Sequence, residues 1–477
     1  MTRVLLPDPA TLLQDAPLVW AALQTAGWSA AAVDGLLGAT ARTHLDRDEL
    51  APLLRRTEGG SPLEVLARLF VLGTEVDLKA ARRAGVPESW LVPDGFGVAA
   101  AVRLQPVLHG DVEVLVAHDP GRAATGVHPD QVLGVGAASL TLAAATPRTH
   151  VGRTLDLGTG SGIQALLADD HSDLVVATDA NPRAAGYTRL SAALGGRDVQ
   201  ARVGDLLTPV EGESYDLVVS NPPFVIGPGA RYTYRDAGLE GDDLCRRLVA
   251  ELPSVLAPGG HAVLLANWLH IEGEDGDARV QSWFGPEVDG WVVQRELASP
   301  EDYVTAWLRD TDEGARFDEL YDDWMAWLDL RQVEAVAFGV LAMTPGSGRV
   351  HLDDAPQQVA AQWGEQVPAF FARQDALDRG LLATAWRLRE DVRLHQVAAR
   401  TEDGWLAEAQ VLQQSSGLRW SGGVDVYGAT LLAGCDGTRR LGELLQVLAS
   451  SAGMSEAEAA EQVLPVVERL VHQGFLT

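Results

Sequence analysis

Between Thr154 and Pro345 short apolar runs alternate with longer stretches of helical spacing: "TLDLG", "LVVATD", "VQARVGD", "YDLVVSNPP", "HAVLLANW", "GWVVQREL" and "AVAFGVLAM". Apolar strands separated by helix-length connections argue for a parallel sheet covered on both faces. The pattern predicts an α/β fold with a doubly wound, Rossmann-like core of seven strands. Between the last two runs, at about 299–333, lies a segment too long for a turn. It carries Tyr303, Trp307, Phe317, Tyr321, Trp324 and Trp327 at largely helical intervals. A helical insertion with these rings in its core is expected there; a substrate platform is the alternative.

At 477 residues the chain exceeds one ordinary domain. Residues 1–120 are expected to form an N-terminal domain, 121–350 the sheet domain with its insertion, and 351–477 a C-terminal domain. From Pro9 to Arg83 apolar residues return every three or four positions, as in "PLEVLARLFVLG", and two β runs then meet around Gly110 and Asp111. This fits a small winged-helix-like domain or a helical bundle with a β connector. The C-terminal part reads as helical from about Gln357. It closes with two amphipathic helices, a glycine and a terminal apolar strand, a winged-helix-like end piece. Arg439, Arg440 and Arg469 do not amount to a basic stripe, so a packing or protein-contact role is expected for it.

Charge limits the partners. Sixty-six acidic against 37 basic residues give a net charge of −29, which opposes a broad grip on phosphate backbones. Residues 270–330 alone hold 17 acidic and 4 basic side chains. Arg55, Arg56, Arg68, Lys79, Arg82 and Arg83 cluster near the N-terminus, where they either dock RNA or form a solvated helix face. Cys245 and Cys435 cannot by themselves build a disulfide framework or a zinc site, and a reducing, cytoplasmic setting follows. No signal peptide, no run of 18 uncharged apolar residues and no metal-ligand spacing is evident, so neither a membrane nor a metal is expected.

The chemistry gathers at strand ends. "TLDLGTGSGIQALLA" passes from a strand through Gly158, Gly160 and Gly162 into a helix, where backbone can approach a ligand and N–H groups are unpaired. Asp179 ends the second strand, placed to accept both hydroxyls of a ribose. Asp205 ends the third and can accept from an exocyclic amino group. No lysine follows the glycines, so a nucleoside triphosphate is not expected, while a dinucleotide stays open. The fourth strand end, "SNPPF", argues against hydride transfer. Pro222 and Pro223 remove two backbone donors and stiffen the segment, leaving carbonyls and the Asn221 amide in a fixed arrangement. A rigid turn after a buried strand is the plain alternative.

"LDLGTGSG", "ATDAN", "VGDLL" and "SNPPF", in this order and spacing, resemble the class I S-adenosylmethionine-dependent methyltransferases of the N-methylating, Asn-Pro-Pro-aromatic branch, over roughly residues 125–345. The resemblance implies a seven-stranded sheet whose last strand is antiparallel, with S-adenosyl-L-methionine lying across the strand ends. It implies cofactor contacts at Asp156, Gly158, Thr159, Gly160, Gly162, Asp179, Ala180, Asn181, Asp205, Leu206 and Asn221. Thr125, Gly126 and His128 are expected to close over the methionine end. Asn221, Pro222, Pro223 and Phe224 are the implied catalytic set. The Asn221 side-chain oxygen and the Pro222 carbonyl would each accept one N–H of a planar nitrogen, with Phe224 stacked on the target group.

Two groups within that branch are similar to this chain. Release-factor glutamine methyltransferases share the helical N-terminal part and a stretch like "YTYRDAGLEGDDLCRRLV"; small ribosomal RNA guanine or adenine N-methyltransferases more often share the phenylalanine at position 224. The expected partner is therefore a macromolecule, RNA or a release-factor-like protein. The alternatives are a retired methyltransferase fold acting as an interaction subunit and a nicotinamide dehydrogenase.

Overall fold

The computed structural model describes residues 7–47, 49–121, 130–228, 241–309, 316–402 and 404–477. The chain forms two compact units: Met1–Ala143 with His150–Asp354, and Ala144–Thr149 with Ala355–Thr477.

In the first unit, short helices run through Ala16–Arg83 and two hairpins follow, β1 (Leu91–Asp94) with β2 (Gly97–Ala100) and β3 (Arg103–His109) with β4 (Val112–His118). The β3–β4 turn falls at Gly110, whose φ of 60° suits glycine, where the sequence places it. Local chemistry starts the helices: Ser61 and Glu64 form a capping box, and Asp77 accepts from Lys79 and Ala80. Leu12, Leu23, Phe70 and Trp90 of this region share a core with Tyr187, Leu190 and Leu194 of the helix Pro182–Gly195. The N-terminal helices thus brace a helix that starts at the candidate site.

All seven predicted runs are strands of one sheet: β5 (Val151–Leu157), β6 (Ser172–Asp179), β7 (Val199–Val203), β8 (Tyr215–Ser220), β9 (Leu256–Ile271), β10 (Val288–Ala298) and β11 (Val333–Pro345). An eighth, β12 (Val350–Asp354), adds to one edge, giving the order β12-β10-β11-β9-β8-β5-β6-β7. β7, β6, β5, β8 and β9 are mutually parallel, and β11 is antiparallel to both β9 and β10, as expected for the last of the seven. The central strands are buried throughout their apolar stretches, which is why they read as continuous rather than alternating runs. β12, "VHLDD", is a half-exposed edge strand with little apolar signal.

The insertion is helical, Pro300–Arg309 and Phe317–Leu330. Its aromatics pack in one cluster with Ile226, Leu269, Val333 and Val336.

The second unit holds the helix Gln366–Asp378, a three-stranded sheet of β13 (Val392–Thr401), β14 (Gly404–Gln414) and β15 (Ser421–Gly423), and the helices Val426–Ala433, Leu441–Ala452 and Glu456–His472. Trp386, Leu432, Leu444, Val467 and Phe475 are among its buried core. The terminal apolar strand reduces to a bridge between Leu388 and Leu476, and the β13–β14 pairing is additional to the helices expected from sequence.

Candidate functional site

The carboxyl ends of β8, β5, β6 and β7 lie side by side, and the glycine turn, Asp179, Asp205 and the Asn221 motif all leave the sheet at this edge. In the turn after β5, Gly158, Gly160 and Gly162 have φ of 73°, 57° and 93°, a region closed to most side chains. The glycines differ in what surrounds them. Among the described residues, a Cβ on Gly158 or Gly160 would meet nothing within 4 Å, whereas one on Gly162 would lie 3.1 Å from Thr188. The first two therefore face open space, and the third lets the helix Ile163–Ala168 pack closely.

Two carboxylates hold the turn. Asp156, 1% exposed, accepts from Thr159 Oγ1 at 2.6 Å and from the Ala165 N–H at 3.0 Å. Burial pushes its carboxyl up to about 7, against the opposing pull of those bonds. Asp179 accepts the Gly160 N–H at 2.9 Å and the Asn181 N–H at 2.8 Å, and burial raises its carboxyl above the usual range. The Gly158 and Thr159 N–H groups both donate to the Thr178 carbonyl at 2.9 Å.

Ala180 is exposed beside this edge. Asn181 caps the helix Pro182–Gly195, accepting from the Arg183 N–H at 2.9 Å and donating to the Asp130 carbonyl at 3.0 Å. Asp205 is exposed, and Leu206 beside it takes φ of 44°, an unusual value for a leucine. The Gly204 N–H, donating to the Asp179 carbonyl at 3.0 Å, ties these two strand ends together. Thr125, Gly126 and His128 lie outside the described residues.

Ser220 Oγ donates to the Leu157 carbonyl at 2.9 Å and so joins the motif to the glycine turn. Asn221 is partly exposed and donates through Nδ2 to Ser139 Oγ at 3.3 Å. Neither Asn221 Oδ1 nor the Pro222 carbonyl is engaged by another group among the described residues. The Phe224 ring is 7% exposed, its centroid 6.2 Å from Trp307 and 5.6 Å from Phe338. It belongs to an aromatic wall and offers little open face. Two residues on, the Ile226 N–H donates to Tyr303 Oη at 2.7 Å, and Trp324 closes against Gly227.

Sequence reading missed Ser139, the bond of Tyr303 to the motif loop, and a buried group at the end of β4. There Asp119 pairs with Arg183 and accepts from Tyr187 Oη at 2.7 Å and from the Val132 N–H at 2.8 Å. These partners lie far apart in sequence and carry no local motif. Two members of the basic cluster near the N-terminus are engaged locally: Arg68 donates to Thr57 Oγ1 and the Leu54 carbonyl, and Arg82 pairs with Glu88. Among the described residues no group of three or more His, Cys, Asp or Glu side chains could hold a metal ion, and no helix is long and apolar enough to cross a membrane.

Residues 122–272 match the family described as methyltransferase small domain, while 25–101 and 368–477 each match a domain of unknown function. The chain is 39% identical over 131 residues to the release factor glutamine methyltransferase of Deinococcus radiodurans, covering 24% of this chain and 46% of that one. It is 34% identical over 116 residues to the ribosomal RNA small subunit methyltransferase C of Alcanivorax borkumensis, covering 24% and 32%. It spans less than half the length of these curated relatives. Among solved structures, the T. thermophilus 16S rRNA N2 methyltransferase in complex with AdoMet and guanosine aligns at 20% identity and a TM-score of 0.27, over 40% of this chain and 53% of that one. The match to the methyltransferase small domain covers the glycine turn, Asp179, Asp205 and the Asn221 motif.

Proposed function

We propose that the chain is an S-adenosylmethionine-dependent N-methyltransferase acting on a planar amino or amide nitrogen of a macromolecule, with a glutamine side chain of a protein as the favoured acceptor. The observation that carries this reading is the pair of acceptors left unengaged among the described residues, Asn221 Oδ1 and the Pro222 carbonyl, at a strand end bonded to Leu157, the residue that precedes the glycine turn.

The open space over Gly158 and Gly160 fits a cofactor that approaches backbone closely. Asp179, Asn181 and Asp205 would hold its nucleoside and Asp156 would keep the turn in shape. When bound, the cofactor supplies an electrophilic methyl group on sulfur. The chain's own part is alignment. Two acceptors on a rigid Asn-Pro-Pro frame take the two N–H groups of a planar nitrogen, turning its lone pair out of conjugation and toward the methyl donor. Such a step relies on orientation and exclusion of water more than on a strong base, which agrees with a site built from an amide and prolines.

A protein acceptor is favoured over RNA by two observations. The helices of the insertion, bonded to the motif loop, expose Glu301, Asp302, Asp318, Glu319, Asp322, Asp323 and Asp329. The nearly covered Phe224 leaves little platform for an extruded base. We read 1–120 and 351–477 as flanking domains. The buried, unbridged Cys245 and Cys435 support a cytoplasmic setting.

Calorimetric titration with S-adenosylmethionine, S-adenosylhomocysteine and NAD tests the cofactor. Binding of the first two, lost in Asp179→Ala and absent for NAD, is expected. Transfer of tritiated methyl to a purified bacterial release factor should vanish in Asn221→Ala while cofactor binding persists. A folded protein that binds neither sulfur compound would shift the reading to a retired fold.

A further inference from the structure

Resting on the reading above, we propose that Ser139 and Gln164 are positioning residues that decide which end of the Asn221 amide faces the methyl acceptor. A primary amide carries an acceptor and a donor on opposite sides of one carbon. An asparagine that must accept a hydrogen bond from substrate needs its NH2 end held elsewhere, or the amide can rotate and present a donor instead. In this chain the hold comes from Ser139, on the helix Ala137–Ala145, 82 residues upstream of the motif. Asn221 Nδ2 donates to Ser139 Oγ at 3.3 Å, the single bond of that side chain among the described residues.

Ser139 is itself fixed. Its backbone carbonyl accepts from Gln164 Nε2 at 2.7 Å. Gln164 is the second residue of the helix Ile163–Ala168, which begins where the glycine turn ends, and it is 4% exposed. Its Oε1 is buried without a hydrogen-bond partner among the described residues. A buried amide with an unused acceptor carries a standing cost in stability, so its presence here calls for a reason beyond packing. Holding Ser139 supplies one. The glycine turn, Gln164, Ser139 and Asn221 form one chain of contacts, so the seat of the methyl donor and the group that orients the acceptor share a frame.

The opposite orientation is a distinct physical case. With the amide reversed, Ser139 Oγ–H would occupy Asn221 Oδ1 and hold it away from substrate. Removing the hydroxyl would then speed transfer rather than slow it.

The chain has only three asparagines, Asn181, Asn221 and Asn267. Labelling the full-length protein with [15N]asparagine therefore gives three side-chain amides, and Asn221 is identified by its loss in Asn221→Asp. Hydrogen exchange of the Asn221 NH2 is expected to quicken by about fivefold or more in Ser139→Ala, the scale of one lost hydrogen bond. It should stay slow in Ser139→Thr, which keeps the hydroxyl. Unchanged Asn181 and Asn267 signals report an intact fold. Unchanged exchange at Asn221 in Ser139→Ala overturns the proposal.

Methyl transfer supplies the second readout, with tritiated S-adenosylmethionine and either a bacterial release factor or small-subunit ribosomal RNA as acceptor. In Ser139→Ala, kcat should fall about tenfold, with acceptor KM and cofactor Kd within about twofold of wild type, and Ser139→Thr should recover most of the rate. Gln164→Leu should lower kcat in the same direction. A rate unchanged or raised in Ser139→Ala also overturns the proposal. If wild type binds no cofactor and methylates neither acceptor, the proposed function fails, while the exchange experiment still decides the role of Ser139.

Discussion

Asp156 illustrates how one residue serves a site it does not line. Its carboxylate is buried beneath the glycine turn, bonded to Thr159 and Ala165, and burial lifts its pKa to about 7. Because the folded value lies above the unfolded one of 3.8, its favourable contribution is complete below about pH 4 and is lost as pH rises through about 7. Asp156→Asn removes this titration. The stability of the variant relative to wild type, measured by denaturant midpoint, should improve between about pH 4 and pH 7; a constant difference would mean that Asp156 does not titrate there. Residues of this kind were legible in sequence because the glycines and prolines act through their own backbone and the Asp156 carboxylate finds its partners close by in the chain, at Thr159 and Ala165. Ser139 was not, since its meeting with Asn221 depends on the sheet bringing together positions 82 apart.

At the scale of elements, the helical insertion is hydrogen-bonded to the motif loop through a buried hydroxyl, beside the contacts of Phe224 with Trp307 and of Gly227 with Trp324. Tyr303 Oη accepts from the Ile226 N–H at 2.7 Å and from Asn267 Nδ2 at 3.3 Å, while its ring packs against Trp307 and Trp324. Tyr303→Phe keeps the ring and removes the acceptor. Leaving a buried N–H unsatisfied should destabilise the chain by about 1–3 kcal/mol. It should also lower methyl transfer more than cofactor affinity, because the loop behind Phe224 loses its anchor. Equal effects on transfer and cofactor binding would argue for a purely structural tyrosine. The insertion's helices were legible from their aromatic spacing. β13 and β14 were not: most of β13 is exposed on both faces, so no apolar alternation marks it, and β12 is short and half exposed.

For the whole molecule, the charge of −29 matters most where it is concentrated, and 17 acidic against 4 basic residues fall between positions 270 and 330. The insertion brings part of that charge to the motif loop through Tyr303, and the N-terminal cations that could offset it are partly engaged in their own ion pairs and hydrogen bonds. Repulsion of a phosphate backbone acts over about 8 Å at physiological salt and over longer distances when salt is lowered. Affinity for a labelled small-subunit ribosomal RNA fragment, followed by fluorescence anisotropy, should therefore be weak at about 50 mM KCl and should not weaken further at about 200 mM. A protein that grips phosphates behaves in the opposite way, losing orders of magnitude over this range as counterions compete. Such a loss here would mean that cationic groups elsewhere in the chain outweigh the acidic wall, and would move the acceptor from a protein amide to an RNA base. A flat or rising salt profile would leave the polypeptide as the acceptor class that the electrostatics admit, because a neutral carboxamide can approach Asn221 without bringing a row of phosphates past the exposed carboxylates.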